Sequence, residues 1–308
     1  MNSMKQDNEL NLNQLISIFW KEKFKIITLT FISSVIGVLV AINLPNIYKS
    51  EAVLAPTDND TSQANLLASP GLGSIAQMAG IKATSERELN SLMAIEVLRS
   101  REFFSDFNSQ YNILVPLMAA SGWIEADNEL IIDPDVYDTF NKKWVREVPP
   151  TKSSEPSIQE AHLQFLDILS VSRDKVTGLV RVGIKHYSPY VAKDWVDLIV
   201  LEINERMRQE DVNRANLSME YLKDEIQNTK LSELRSLLFS LVQQQIQIIM
   251  LAEASPEYLF KTIDSAVVPE LKIEPKRPVI AIMSFIIGFL ISIIIVISLH
   301  FRSQIKKY

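Results

Sequence analysis

Cysteine is absent from this sequence, and histidine occurs only three times in 308 residues. Without thiols the chain can form neither a disulfide nor a thiolate metal site, and it has no cysteine nucleophile. His162, His186 and His300 lie far apart and lack the spacing of zinc ligands. Composition therefore predicts no catalytic centre, no metal site and no bound cofactor.

Proline and glycine are absent from residues 190–255, which follow a strong helix-start signal. Ser188 is a favoured N-cap residue, and Pro189 is a favoured first helical residue. These features predict one long helix over residues 189–252. Such a helix would extend about 90 Å if unbroken.

The predicted long helix carries apolar residues at alternating three- and four-residue spacing, which is typical of a coiled coil. They are Val212, Ala215, Met219, Leu222 and Ile226, and then, one register later, Leu231, Leu234, Leu238 and Leu241. Such a seam is buried against another helix, and the chain otherwise offers only short helices. We predict that it joins copies of the chain in a homo-oligomer; packing within one chain is the alternative.

Charge is absent from two runs, residues 26–44 and 279–299. Each is close to the roughly 20 helical residues that cross a bilayer. We predict two membrane spans, at residues 26–44 and 279–301. The first run is long for a signal peptide and lacks a following cleavage motif. The second has no polar face, unlike a helix buried in a soluble core.

Positive residues predict the orientation of the spans. Lys21, Lys23 and Lys25 precede the first span, and Arg302, Lys306 and Lys307 follow the second. We therefore expect residues 1–25 and 302–308 in the cytoplasm and residues 45–278 outside it. Both end segments are net positive although the chain carries −6, so the middle segment is acidic and unsuited to nucleic acid.

The middle segment predicts an α+β domain. Alternation and β-branched residues predict strands at 48–55, 176–185 and 258–268, which are expected to pair as a mixed sheet near the membrane. Helical spacing of apolar residues predicts helices at 86–112 and 158–169. Residues 57–75 are a polar loop, whose Gly71 and Gly73 indicate a turn, and residues 121–157 are expected to be irregular.

The approach to the second span carries the most specific motif. In Pro-x2-Pro-x4-Ser-Pro-Lys-x11-Gly-x3-Gly, the chain supplies Pro269, Pro275, Lys276 and Gly288 at matching spacings and departs at Ala266, Glu274 and Ser292. With this motif, the segments at 48–52, 98–103, 170–180, 245–252 and 257–261 resemble, in order, those of the Wzz-type chain-length determinants, also called polysaccharide co-polymerases. The resemblance covers nearly the whole chain.

This resemblance implies a bacterial inner-membrane protein that sets the modal length of O-antigen or a related lipid-linked glycan. It implies homo-oligomers, a separate membrane polymerase as partner, possible contact with the growing glycan, and no catalytic activity. Pro269, Pro275, Lys276, Gly288 and Ser292 are the candidates for coupling to the membrane partner. Ser292 is small, so close helix approach remains available at that position.

Other functions fit the sequence less well. Carboxylates from Glu125 to Asp138 lie beside Trp123 and Tyr137, which a glycosidase or a cation site could use, but a solvated loop is expected. A capsule export adaptor with a separate tyrosine kinase, or a transmembrane sensor, shares the two-span layout. We expect neither a fused kinase nor a sensor output domain in the segment after the second span.

Overall fold

The computed structural model describes Trp20, residues 22–57 and residues 86–305. The chain divides into two compact units. One, the membrane unit, holds the chain up to Asn46 and from Ile273 onward; the other, the sheet unit, is Ile47–Lys272. The predicted turn at Gly71 and Gly73, and the cationic residues Lys21, Lys306 and Lys307, lie outside the described residues.

Two apolar helices that pack along each other form the membrane unit. They are α1 (Lys23–Asn43) and α8 (Arg277–Ile305). α1, and α8 through Ser298, are long and apolar enough to cross a bilayer, with mean hydropathies of 2.2 and 3.1. The structure therefore places candidate spans where the charge-free runs predicted them, each beginning two or three residues earlier.

A four-stranded antiparallel sheet organises the sheet unit, with strand order β6-β7-β1-β8. Its strands are β1 (Tyr48–Pro56), β6 (Leu169–Arg173), β7 (Val180–His186) and β8 (Phe260–Asp264). Tyr48 pairs with His186 and Leu54 with Val180, so the whole of β7 pairs with the first seven residues of β1. The predicted α+β class is confirmed. However, the sheet is antiparallel throughout and not mixed as predicted, because each strand runs opposite to its neighbours, and β8 is shorter than the predicted strand at 258–268.

One face of the sheet carries the core. Inward residues of β1 and β7 alternate with outward ones, as a half-buried strand requires. Leu54, Val182 and Ile184 are fully buried, and the helix that follows β7 packs on them with Ile199 and Ile203. A phenylalanine cluster of Phe103, Phe104, Phe107 and Phe165 extends this core.

The predicted helix at 86–112 is two helices, α2 (Glu86–Leu98) and α3 (Arg101–Tyr111). Ser100 between them is extended, and its hydroxyl accepts a hydrogen bond from the Phe103 N–H as an N-cap. A short helix, α4 (Leu114–Met118), follows. The next predicted helix appears as α5 (Ile158–Ile168), capped by Ser157.

Residues 121–157, predicted to be irregular, contain two small hairpins. β2 (Ala120–Ile124) pairs with β3 (Glu129–Ile132), and β4 (Tyr137–Asp138) pairs with β5 (Lys143–Trp144). Left-handed Asn128 and Lys142 allow the tight turns of these hairpins. Arg146 then anchors the segment through a two-pronged ion pair with Glu160 of α5.

The predicted helix over 189–252 is also two helices, α6 (Pro189–Asn228) and α7 (Ser232–Ala254). The start is as predicted, because the Ser188 hydroxyl caps the Val191 N–H and Pro189 opens the helix. Thr229 leaves the helical conformation with ψ 125°, and the chain turns back so that α7 packs antiparallel on α6. An unbroken helix is therefore wrong. The one-residue shift of the apolar register at Leu231 marks the break.

Candidate functional site

Small residues hold the two membrane helices together at three levels. Thr30 Oγ1 lies 3.2 Å from Ser292 Oγ, and both side chains are buried. At the next level Ser33 faces Gly288, where an added Cβ would lie 2.5 Å from the serine side chain. At the third, an added Cβ on Gly37 would overlap Ser284. The α8 residues repeat every four positions, so close approach is built into the helix.

Gly288 and Ser292 thus serve packing within one chain. Both residues were predicted to couple the chain to a membrane partner. In the structure, Gly288 and Ser292 contact α1 of the same chain. The rest of this apolar surface, including Phe285 and Phe289, is exposed in the isolated chain.

Arg277 ties the start of α8 to the end of α1. Its Nε donates to the Ala41 carbonyl at 3.2 Å, and its Nη2 lies 3.4 Å from Asn46 Oδ1. The last carbonyls of a helix lack helical partners, and a cation stabilises that end of the dipole. Arg277 was not among the candidate site residues predicted from the sequence. Its position directly before an apolar run was the available signal.

The other coupling candidates lie ahead of α8. The Pro275 carbonyl accepts from the Arg277 N–H, and the Lys276 carbonyl accepts from Val279 and Ile280 N–H. Pro275 and Lys276 therefore lie directly before the first turn of α8. Pro269 belongs to the sheet unit, in the segment after β8, whereas Gly288 and Ser292 belong to the membrane unit.

The predicted oligomer seam is partly covered within the chain. Ala215 and Leu238, on the facing helices α6 and α7, are both buried. Val212 packs against the main core. Met219, Leu222 and Ile226 are half-buried, whereas Leu231 and Leu234 are exposed. We call α6 and α7 together the arm pair.

Exposed apolar residues flank the buried seam of α7 on both sides. At about 100° per residue, Leu237 lies on one flank, and Phe239, Ile246 and Met250 lie on the other; these side chains are between 43% and 66% exposed. By length and composition α7 would also pass as a membrane span, with mean hydropathy 1.3. However, it contains four glutamines between 243 and 247 and packs on α6 within the sheet unit. A water-exposed surface of this kind marks an interaction site.

Asn204 fastens the sheet unit where the chain returns from α7. Its buried Oδ1 accepts from the Leu259 and Phe260 N–H groups at 2.9 and 2.8 Å, and its Nδ2 donates to the Phe260 carbonyl at 3.1 Å. Nearby, the Tyr258 hydroxyl donates to Asp211 at 2.8 Å. Sequence reasoning missed Asn204; the signal was a polar residue between Ile203 and Met207 on the apolar face of α6.

The open face of the sheet carries a charged cluster. Lys49 and Arg181 lie on either side of Glu51, at 2.5 and 3.3 Å from its oxygens. Burial raises the pKa of Glu51, but hydrogen bonds and charge attraction from Lys49 and Arg181 outweigh it and hold the pKa below its ordinary value. The carboxylate is therefore ionised at neutral pH and serves as a structural link.

The acidic stretch does not assemble a carboxylate site. A shallow cavity of about 310 Å³ is lined by Ile132, Pro134, Tyr137, Asp138, Thr139 and Val145. Both Asp138 oxygens accept hydrogen bonds from Phe140 or Asn141, and those bonds, the one from the Asn141 backbone first, lower its pKa. Among the described residues no three His, Cys, Asp or Glu side chains are grouped to hold a metal.

The histidines whose side chains are described serve packing. His186 is buried; its Nε2 lies 3.1 Å from the Pro116 carbonyl, and burial lowers its pKa. His162 Nε2 lies 2.8 Å from the Arg99 carbonyl.

These features define a class of protein: two candidate membrane helices near the ends of the chain, with a mixed α+β domain between them. Residues 8–110 match the family model for Wzz, described as chain length determinant protein. About a third of the chain is therefore similar to chain length determinant proteins, the family that its ordered motifs resemble.

Solved structures similar to this chain include two polysaccharide co-polymerases. A full-length bacterial polysaccharide co-polymerase is 13% identical, with a TM-score of 0.39, over 97% of this chain and 99% of the other. A fragment of WzzB, a polysaccharide co-polymerase from Salmonella Typhimurium, is 12% identical, with a TM-score of 0.26, over 74% of this chain and 100% of the fragment. A search of curated proteins finds no significant match.

Proposed function

We propose that this protein is a non-catalytic, oligomeric regulator of the modal chain length of O-antigen or a related lipid-linked surface polysaccharide. The observation that carries the proposal is the chain length determinant match over residues 8–110, which takes in α1, β1 and most of α3. The second helix of the membrane unit, α8, adds the other anchor that such a regulator needs. Both termini lie in the cytoplasm of a bacterial inner membrane, and the sheet unit lies in the periplasm.

The partners follow from the exposed surfaces. A neighbouring copy covers the apolar side of the arm pair that Leu234, Leu237 and Leu241 present, because one chain covers only part of the predicted seam. A separate polymerase meets the lipid-facing side of α1 and α8, whose spacing Gly288 and Ser292 set. The growing glycan extends beside the oligomer. Chain length then depends on how copies are arranged around the polymerase.

Deletion of the gene tests this function. Gel separation of surface polysaccharide should show polymer still being made, but without the clustered band distribution. A plasmid copy should restore the clustering. Complete loss of polymer would indicate synthesis or export and would overturn the proposal, as would an unchanged band pattern.

The arm surface can be tested in the same strain. Leu222→Asp places a charge in the half-buried seam and should reduce assembly and shift the band distribution. Gln227→Asp is the matched control, because it adds the same single carboxylate at an exposed polar position of α6. If Leu222→Asp leaves oligomer size and band distribution unchanged, the seam does not join copies.

A further inference from the structure

Both passages of the chain between the sheet unit and the spans leave the sheet at the same end. Only four residues separate Asn43, the last of α1, from Tyr48, the first of β1. After β8 the chain runs on past Ser50, whose hydroxyl donates to the Val267 carbonyl at 2.7 Å. At no more than about 3.6 Å per residue, Tyr48 stays within roughly 18 Å of the end of α1.

Three aromatic side chains gather at this end of the sheet. The Tyr48 and Trp123 rings lie 5.7 Å apart in an edge-to-face arrangement, and Trp123 and Tyr190 lie 6.2 Å apart. They come from β1, β2 and the first turn of α6, so the fold assembles residues far apart in sequence. Tyr190 remains 44% exposed. The charged cluster and the phenylalanine core do not account for these rings.

Tyrosine and tryptophan are the residues that favour the boundary between hydrocarbon and water, because each has an apolar ring and a polar group. The return segment adds Val267 and Leu271, 65% and 82% exposed, between the sheet and α8. Apolar surface next to two membrane anchors is stabilised by lipid. A protein partner would need a second recognition surface at this crowded end.

We propose that Tyr48, Trp123 and Tyr190 form an aromatic foot that rests in the lipid headgroup region of the bilayer crossed by α1 and α8. This role is additional to chain-length control and depends only on α1 and α8 being spans. It therefore stands or falls separately from the proposed function.

The cysteine-free chain permits a direct test with single labels. The full chain carrying Tyr190→Cys, labelled with a small fluorophore, is placed in vesicles of phosphatidylethanolamine and phosphatidylglycerol. Quenching is measured with a headgroup-nitroxide lipid and with aqueous iodide. Ser121→Cys on β2 is a second site that leaves all three rings in place. Val176→Cys, 96% exposed in the turn at the opposite end of β7, is the control.

We expect the lipid nitroxide to quench the labels at 190 and 121 several-fold more than the label at 176, with iodide showing the reverse order. Strong iodide quenching at 190 and 121 would place the foot in water and overturn the proposal. Shielding from both quenchers would show a protein partner, such as a second copy, and would overturn it equally. Tyr190→Cys removes one of the three rings, whereas Ser121→Cys keeps all three. If the two labels disagree, the label at 121 therefore decides the outcome.

Discussion

The protein contains two antiparallel helix pairs that solve the same packing problem differently. In the membrane pair, α1 and α8 meet through Ser33, Gly37 and Gly288 and turn large apolar side chains outward. In the arm pair, α6 and α7 meet through larger residues such as Leu238, yet α7 also turns apolar side chains outward. An apolar exterior is stable against lipid, as expected for the membrane pair. The apolar residues that α7 exposes are not stabilised by water.

The difference teaches where to look for a partner. On a membrane span, an apolar exterior does not indicate a protein partner, because every helix in the hydrocarbon core needs an apolar surface. Exposed apolar residues on a helix of the sheet unit are instead typical of an interface, and the proposed partner there is another copy of the chain. Four substitutions test this contrast, from the largest expected effect to the smallest.

The sheet-side end of the arm pair depends on Asn204. Asn204→Ala leaves the Leu259 and Phe260 N–H groups buried without their acceptor, so we expect a stability loss of roughly 3 kcal/mol. The midpoint of thermal unfolding of the purified full chain measures it. Asn213→Ala, on the exposed side of α6, is the control. Equal midpoints for the two variants would show that packing alone holds this end.

The membrane pair depends on close approach. Gly288→Leu forces α1 and α8 apart, and we expect a cost of about 2 kcal/mol, in the range of overpacked cores. Disulfide yield between Thr30→Cys and Ser292→Cys measures the separation. Ile286→Leu changes a lipid-facing side chain and should leave the yield intact. An undiminished yield in Gly288→Leu would remove the contrast between the pairs.

The outward side of the arm pair depends on a second copy. Leu237→Asp places a carboxylate on that surface, and we expect about 1.4 kcal/mol per interface, a tenfold weaker association. Mass measurement in mild detergent detects the smaller assembly. Gln243→Asp adds the same charge at an exposed polar position of α7. If both variants keep the parental mass, the exposed apolar side is not an interface.

The hydrogen bond within the membrane pair should matter least. Ser292→Ala keeps a small side chain but loses the contact with Thr30, so we expect about 0.6 kcal/mol, typical of such bonds between spans. The same disulfide assay, between Ile26→Cys and Val296→Cys, can follow it, because these buried residues pack together across the two helices. A loss as large as that of Gly288→Leu would mean that hydrogen bonding, and not size, joins the spans.

Local signals predicted local structure well. Ser188 and Pro189 start α6 as their chemistry requires, and the charge-free runs mark both membrane helices. The breaks at Ser100 and Thr229 were missed, because apolar periodicity continues almost unchanged across both. Tertiary packing decides there: folding back at Thr229 covers Ala215 and Leu238 within one chain.

The candidate sites were harder to predict. The small residues Gly288 and Ser292 predicted a close approach to another helix. Only the structure shows that this helix is α1 of the same chain. Asn204 was invisible because its partners are backbone groups more than 50 residues away. Spacing within one segment cannot report such contacts.

The order of strands in the sheet has a consequence for biogenesis. β1 emerges directly after the first anchor, yet its two neighbours are β7 and β8, the latter 204 positions on from Pro56 in its pairing with Phe260. Contacts so distant in sequence form late and slowly. One edge of β1 must therefore wait, unpaired, until nearly the whole domain has been synthesised, and such an edge invites wrong pairing. Completion of the sheet and insertion of the second anchor become nearly simultaneous events.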